Sequence, residues 1–251
     1  MNITWDAELY ASNFDYIHRY GEGVLSLIDA PEGAKALDLG CGNGELTASL
    51  KKRGYDVIGL DASPELLAEA RKNHPDIPFI NGDACDFTLE TPVDVVFSNA
   101  VFHWIDEERQ DDMLRCVYNA MNRGGQFVFE FGGAGNNRLI HRALRKEFSQ
   151  YGYEYHMPFY FPTIGEYAPR LERAGFKVTD AFLFDRPTEL FSNNGMADWI
   201  NMFVKTPFDQ VREEDRKAIV EGAVDRLRYP LQQDDKWYAD YVRLRMKAVK
   251  E

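Results

Sequence analysis

The sequence has few cysteines and no long apolar run, and both absences narrow the class of protein. The three cysteines, Cys41, Cys85 and Cys116, are odd in number and lack paired spacing, so a disulfide framework is not expected. No apolar leader follows Met1, and no stretch approaches the ~20 apolar residues that a membrane span needs. We therefore expect a cytoplasmic protein in a reducing environment, with no membrane partner.

Basic residues are also scarce relative to acidic ones. The chain has 29 Lys and Arg against 41 Asp and Glu, a formal net charge of −12. An acidic surface repels phosphate backbones, and no basic run offsets it, so nucleic acid is not expected as a partner. A chain of 251 residues with 45% hydrophobic content can bury one sizeable core.

Several catalytic and metal-binding motifs are missing. No two histidines stand four residues apart and no Cys-x-x-Cys pair occurs, so no metal site is expected. The chain also lacks a G-x-S-x-G nucleophile elbow and a phosphate-binding P-loop. Metal-assisted, serine-nucleophile and nucleoside-triphosphate chemistry are therefore all disfavoured.

Residues 37–44, Leu-Asp-Leu-Gly-Cys-Gly-Asn-Gly, form the most informative segment that is present. The apolar run predicts a buried strand, and glycines at its end let the backbone turn sharply and approach a ligand closely. A helical pattern over residues 45–53 follows, so the loop leads into a helix N-terminus. The glycines stand at alternate positions, Gly40, Gly42 and Gly44.

This spacing and the neighbouring acids limit the ligand. Dinucleotide-binding folds use G-x-G-x-x-G, which the loop lacks, so an NAD-dependent oxidoreductase is a disfavoured alternative. Asp38 precedes the loop and Glu45 follows it, an arrangement that suits a cationic ligand better than a pyrophosphate. Together with the missing motifs, the loop favours group transfer from a bound adenosine cofactor.

Strands and helices alternate along the chain, which predicts an α/β fold with a doubly wound, mostly parallel sheet. The predicted strands cover residues 36–39, 55–60, 78–80, 93–98, 126–131, 176–184 and 237–249. Such sheets bind ligands beyond the carboxyl ends of their strands. Functional residues are therefore expected near positions 40–44, 61–63, 82–85, 98–104 and 131–136.

Two acids follow predicted strand ends. A carboxylate at Asp61 can accept hydrogen bonds from both hydroxyls of a ribose, although an acid just before Ser63 can also serve helix entry. Asp83 can accept from the exocyclic amine of an adenine while the N–H of Ala84 donates to its ring. The alternative for Asp83 is an ordinary Gly-Asp turn.

The segment Asn99–Trp104 follows the fourth predicted strand. A buried strand rarely leads into Asn, His and Trp without a use for these side chains, although His103 and Trp104 can also complete a core. At this edge of the sheet Trp104 can form an aromatic wall beside the ligand.

These landmarks occur in one order and resemble class I S-adenosylmethionine (SAM)-dependent methyltransferases over roughly residues 30–135. In that family the acid equivalent to Asp38 lies by the methionine end of SAM, and the glycine loop passes beneath it. The resemblance implies SAM as the cofactor. It implies these contacts with SAM: Tyr10, Asp38, Gly40, Cys41, Gly42, Asn43, Gly44, Asp61, Ala62, Asp83, Ala84, Asn99, Ala100 and Trp104.

The wider chain is similar to the trans-aconitate methyltransferase group. The similarity rests on residues 5–10, the Asn99-to-Trp104 spacing, Phe161-Pro162 with Glu166-Tyr167, residues 174–176, residues 185–188 and Trp199. This group implies methylation of a small acid, typically at a carboxylate oxygen, and a seventh strand inserted antiparallel near the sheet edge. We expect a single domain over residues 1–251. It would comprise an N-terminal helical lid (1–30), a SAM-binding core (31–135) and a sheet completion (136–251) with a helical cap at about 190–235.

An ionised acid needs no general base, but it needs a local cation in so acidic a protein. Arg138, Arg142 and Arg186 are the candidates, and Tyr20 and His103 are further candidate substrate contacts. The alternative within enzymes is methylation of a nitrogen, a carbon or a hydroxyl of another small metabolite. If the substrate is an alcohol, a phenol or an amine, His103 is the first choice of base and His156 the second. A SAM-binding protein without turnover is the alternative outside enzymes.

Overall fold

The computed structural model describes residues 16–191 and 194–251, with the backbone alone described for residues 16–20. Its helices are α1 (Tyr16–Leu25), α2 (Glu45–Lys52), α3 (Pro64–Asn73), α4 (Gln110–Ala120), α5 (Arg138–Gln150), α6 (Ile164–Arg173), α7 (Gly195–Phe203) and α8 (Glu213–Leu231). Its strands are β1 (Lys35–Leu39), β2 (Asp56–Asp61), β3 (Phe79–Asn81), β4 (Val93–Asn99), β5 (Met121–Gly132), β6 (Phe176–Leu190), β7 (Gln232–Gln233) and β8 (Lys236–Lys250). Short 3-10 helices cover Phe102–Trp104, Glu107–Arg109 and Thr206–Gln210. No helix in the described part of the chain is both long and apolar enough to cross a membrane.

The strands form one sheet in the order β3-β2-β1-β4-β5-β8-β6, with the two-residue β7 beside β8. Strands β1 to β5 are parallel, and β8 lies antiparallel between β5 and β6. The predicted mostly parallel sheet with an antiparallel last strand is therefore confirmed.

Strand β6 continues beyond the predicted end at residue 184, as far as Leu190. The extension includes Pro187, which has no N–H and is a poor residue for an inner strand. It is tolerated because β6 is the edge strand and pairs with β8 alone. The prediction ended too early because a proline normally argues against a strand.

Both faces of the sheet are covered by helices. One apolar cluster joins α1, α2 and α3 to Val95 and Phe97 of β4, and a second joins α4 and α6 to Val96 of the same strand. Neighbouring residues of β4 are therefore buried on opposite faces, which explains its uninterrupted apolar run.

A third apolar cluster packs helices against β8. It joins α5, α7 and α8 to the first half of β8, with Trp199 and Ile200 at its centre. The indole N–H of Trp199 donates to the hydroxyl of Tyr241 at 2.7 Å. This contact ties α7 to β8.

The segment after β4 is held by a buried side-chain network. The amide nitrogen of Gln110 donates to the carbonyls of Phe102 (2.8 Å) and Ile105 (2.9 Å). The hydroxyl of Tyr167 donates to the other end of the same amide at 3.0 Å. Because Gln110 and Tyr167 are both fully buried, the network fixes the backbone around residues 102–105.

Removing the hydroxyl of Tyr167 tests this network. Tyr167→Phe should lower the free energy of unfolding by about 1–3 kcal/mol, because the amide oxygen of Gln110 loses its donor without access to water. Urea unfolding measures the change. Tyr118→Phe is the control, because that hydroxyl makes only a long, exposed bond at 3.4 Å to Glu251. Equal losses for both variants would contradict the assigned role of the network.

Candidate active site

A cavity of about 640 Å³ opens at the carboxyl edge of the parallel strands. Its walls come from the ends of β1, β2 and β4 and from β8, which is antiparallel and so brings its first half to the same edge. The volume lies in the range of small-molecule sites. The position agrees with the rule that open α/β sheets bind ligands beyond the carboxyl ends of their strands.

Asp61 joins the loops that follow β1 and β2. One carboxylate oxygen accepts from the N–H of Gly42 and the other from the N–H of Ser63, both at 2.8 Å. Burial raises the pKa of Asp61, against the lowering effect of these bonds. Each oxygen keeps a further lone pair, so the carboxylate can also accept from a ligand in the cavity.

The glycine loop needs its glycines for two reasons. Gly40, Gly42 and Gly44 all have positive φ angles, which side-chain-bearing residues rarely adopt. A Cβ at Gly40 would also lie 2.2 Å from the side chain of Val101. The loop thus lies directly against the segment that follows β4.

Asp38 lies buried in β1 and does not line the cavity. The hydroxyl of Thr47 donates to its carboxylate at 2.6 Å. Burial raises the pKa of Asp38 to about 7, with a further increase from the charge of Asp61. The carboxyl is therefore partly protonated at neutral pH in the ligand-free protein.

Asp83 lines the same side of the cavity as Asp61. Its carboxylate accepts from the N–H of Cys85 at 2.9 Å and from the guanidinium of Arg109 at 3.0 Å. Burial raises the pKa of Asp83, but these two partners outweigh it and the net shift is downward. Asp83 is thus a fixed, ionised acceptor at the cavity wall.

His103 lies in the short helix Phe102–Trp104 and lines the cavity. Its Nδ1 accepts from the backbone N–H of Gly132 at 3.3 Å. Burial, together with the charge of Arg243, lowers its pKa well below the ordinary value. The ring is therefore neutral at physiological pH.

Arg243 is a buried cation in the cavity wall, with 7% of its surface exposed. Its guanidinium lies over the ring of Tyr241, 4.2 Å from the centroid. Within residues 16–191 and 194–251, Arg243 is absent from every ion pair. A buried charge without a counterion is costly unless a ligand supplies one.

Two other arginines on the same face of the sheet as Arg243 form ion pairs. Arg186 and Arg245 both contact the buried carboxylate of Glu130. One acid thus serves two cations, and Arg243 lies beside them with its charge directed to the cavity. The local field at this end of the cavity is positive although the whole chain is acidic.

The structure brings together most of the residues predicted to contact the cofactor. The cavity lining includes Gly40, Gly42, Asp61, Ala62, Asp83, Ala84, Asn99, Ala100 and Trp104. Four predicted residues, Asp38, Cys41, Asn43 and Gly44, are buried and are not in the lining. Tyr10 lies outside the described residues, as does Phe14 of the predicted lid.

Some of the predicted substrate contacts line the cavity and others do not. His103 lines the cavity, whereas Arg138 is exposed at the start of α5 and Arg186 is engaged by Glu130 away from the lining. Arg142 is also outside the lining, and His156 is largely exposed beside Glu154. The side chain of Tyr20 is not described.

Sequence reasoning missed Arg243 and most of the aromatic wall around it. That wall is formed by Phe159, Phe161, Trp199, Phe203 and Tyr241. A usable signal existed for the arginine: Arg243 and Arg245 alternate with Leu244 and Met246 in a predicted strand. Two arginines on one face of a strand that inserts into a sheet imply buried partners or a ligand.

In the described residues, no three His, Cys, Asp or Glu side chains are placed to hold a metal ion. The lining instead combines carboxylates at the β2 and β3 ends with a cation at the β8 end. Such a cavity can hold a ligand with hydroxyl and amine donors at one end and an anion at the other.

Comparison with known proteins agrees with this geometry. Residues 36–125 match the family model described as a methyltransferase domain. An uncharacterized methyltransferase of Schizosaccharomyces pombe is 29% identical, with 98% of each chain covered. The trans-aconitate 2-methyltransferase of Rhodococcus jostii is 31% identical over 206 residues, 78% of each chain.

A solved structure extends the comparison to the fold. A Haemonchus contortus phosphoethanolamine N-methyltransferase, bound to phosphomonomethylethanolamine and S-adenosylhomocysteine, superposes with a TM-score of 0.61 at 19% identity. The alignment covers 97% of this chain and 56% of that protein.

The raised pKa of Asp38 predicts a pH-dependent effect of Asp38→Asn on stability. Between about pH 4 and pH 7 the native state binds a proton at Asp38 that the unfolded chain has lost, so wild-type stability falls as pH rises. The slope is up to about 1.4 kcal/mol per pH unit. Asn cannot ionise, so the variant should gain stability relative to wild type across this window.

Urea unfolding of the ligand-free protein at several pH values measures this difference. Asp56→Asn, at an exposed position of β2, is the control for replacing an Asp by Asn. A difference that does not change with pH for Asp38→Asn would contradict the raised pKa of Asp38.

Proposed function

Because the chain belongs to the SAM-dependent methyltransferase family that includes the trans-aconitate 2-methyltransferases, we propose that it methylates a carboxylate oxygen of a small organic acid. Methyl transfer from SAM follows from the family. The choice of a carboxylate acceptor is supported chiefly by one observation, the buried guanidinium of Arg243 in the cavity wall, which has no ion-pair partner among the described residues.

The residues at the β1 and β2 end of the cavity fit the cofactor. The carboxylate of Asp61 has free lone pairs for two ribose hydroxyls, and ionised Asp83 can accept from an adenine amine. The glycine loop leaves room for a ligand to approach its backbone. When bound, SAM supplies a methyl group on a positively charged sulfur for in-line displacement.

Trp104 and the neighbouring phenylalanines shape the middle of the cavity. The ring of Trp104 meets that of Phe159 edge to face, with centroids 4.8 Å apart, and Phe159 stacks on Phe161 at 5.4 Å. Packed rings of this kind exclude water and hold two reactants in a fixed relative position. Their faces also favour a sulfonium cation.

Arg243 provides the anion-binding end. A carboxylate placed there would gain a charge-assisted hydrogen bond and would neutralise a buried charge. Carboxylates are ionised near neutral pH, so the nucleophile needs no general base. The enzyme then contributes alignment, exclusion of water and electrostatic positioning.

Asp61→Ala tests the cofactor end. The variant should bind SAM about 5-fold to 150-fold more weakly, which corresponds to the ~1–3 kcal/mol of lost hydrogen bonds to an ionised carboxylate. Asp61→Asn, which keeps one acceptor oxygen, should lie between. Calorimetric titration measures the dissociation constant, with Asp56→Asn as the control. An unchanged dissociation constant for Asp61→Ala would refute the ribose assignment.

Arg243→Gln tests the substrate end. S-adenosylhomocysteine formation is measured over a panel of carboxylic acids, and the methyl ester is identified by mass spectrometry. The variant should raise KM for the accepted acid about 10-fold to 150-fold, the effect of losing ~1.5–3 kcal/mol of charged hydrogen bonding. Arg243→Lys should be intermediate, and Arg138→Gln should match wild type.

Stability provides a second readout for the same variant. Removing a buried cation that has no ion-pair partner among the described residues should not lower the free energy of unfolding of the ligand-free protein. Tight SAM binding with no turnover on any acid would refute the proposed acceptor class. An Arg243→Gln variant that methylates the acid normally would refute the role of Arg243.

A further inference from the structure

His103 lies where the two ends of the cavity meet. It follows Asn99 and Ala100, which line the cofactor side, and its ring is close enough to Arg243 for the charge of the guanidinium to lower the pKa of the ring. The ring is enclosed by Trp104, Phe159 and Phe161, with centroids 5.3 to 6.0 Å away. His103 is therefore a polar ring that lines the cavity beside both the predicted cofactor side and Arg243.

The hydrogen bond at Nδ1 determines which nitrogen carries the proton. A backbone N–H can only donate, so the N–H of Gly132 requires a lone pair on Nδ1 of His103. A neutral imidazole with an unprotonated Nδ1 has its proton on Nε2. The nitrogen left for the cavity is then a donor and has no lone pair with which to accept a proton.

The surroundings of the ring keep it in this neutral form. Its aromatic neighbours do not titrate at physiological pH, and the charged group facing it is the cation Arg243. Within the described ranges, no carboxylate pairs with His103, so nothing there stabilises an imidazolium. The strand pairing of Gly132 with Arg243 holds the donor and the cation on the same part of the sheet.

We propose that His103 is a substrate-binding hydrogen-bond donor, whose Nε2–H donates to the anionic oxygen that Arg243 holds, and is not a general base. The inference rests on the proposed function, since it needs an acid at the substrate end. Cation and neutral donor together complement an anionic oxygen. A hydroxyl or amine acceptor would instead need a base to take its proton, and this tautomer offers none. His103 thereby restricts the acceptor to groups that are already ionised.

The tautomer is tested on the ligand-free protein. In ¹⁵N-histidine-labelled protein, the signals of His103 are assigned by their loss in His103→Gln. We expect an unprotonated nitrogen at Nδ1 and a protonated one at Nε2, unchanged between pH 8 and 6. An imidazolium in this range, or a proton on Nδ1, would overturn the inference.

The donor role is tested with two substitutions that separate the ring nitrogens. His103→Gln places an amide N–H₂ near the position of Nε2, whereas His103→Asn keeps an acceptor for Gly132 but does not reach the cavity as far. With the accepted acid, the Gln variant should have a kcat/KM at least about 10-fold above that of the Asn variant, through KM. His156→Gln, at an exposed position, should match wild type.

If His103 were a general base, the Gln and Asn variants would not differ in this way. Neither amide can accept a proton, so both variants would lose kcat alike, which would overturn the donor assignment. Equal and undiminished kcat/KM for both variants would overturn it as well. Urea unfolding of each variant separates these effects from loss of the fold.

The two proposals fail separately. Absence of turnover on every acid would refute the proposed function, while the tautomer would still be measured by the nitrogen signals. A wrong tautomer would refute the inference about His103 alone, because Arg243 could still hold an acid.

Discussion

The placement of β8 is the constraint on which the site depends. An antiparallel strand between β5 and β6 runs against the direction of the five parallel strands, so its first half reaches their carboxyl edge. Side chains from β8 can therefore meet those from the loops after β1, β2 and β4 in one cavity. In a parallel orientation, the first half of β8 would lie at the opposite edge of the sheet.

This geometry divides the cavity by charge. Asp61 and Asp83 lie toward one side, where backbone and guanidinium donors hold them in position, and Arg243 lies toward the other. The division suits a cationic methyl donor beside an anionic acceptor in a protein whose net charge is −12. Under the proposed function, the acid would be held by the buried cation Arg243, because the overall field repels anions.

The cofactor side could be predicted from the sequence because its signals are local. The alternate glycines, Asp61 and the Asn99–Trp104 segment each follow a strand directly, and strand ends of a parallel sheet converge at one edge. It was less predictable from the sequence which residues of these motifs line the cavity and which are buried away from it. Asp38 and Gly44 belong to the same motif but are buried and do not line the cavity, because residues of a strand alternate between faces and a turn buries part of itself.

The substrate side depended on tertiary structure. Arg186 is near a recognisable motif, but pairing across strands places it on Glu130, and exposed Arg138 begins a helix. Arg243 has no motif; its role follows from which strands flank β8 and from the absence of a carboxylate beside it in the described chain. His103 was visible as a candidate, yet the proposed tautomer rests on its bond to Gly132, which joins residues 29 positions apart. The sequence by itself determined the fold class and the cofactor, because both depend on short segments with fixed periodicity and turn chemistry. The tertiary structure decided which cation lines the cavity and which ring nitrogen of His103 meets the N–H of Gly132, since these depend on contacts between residues far apart in the chain.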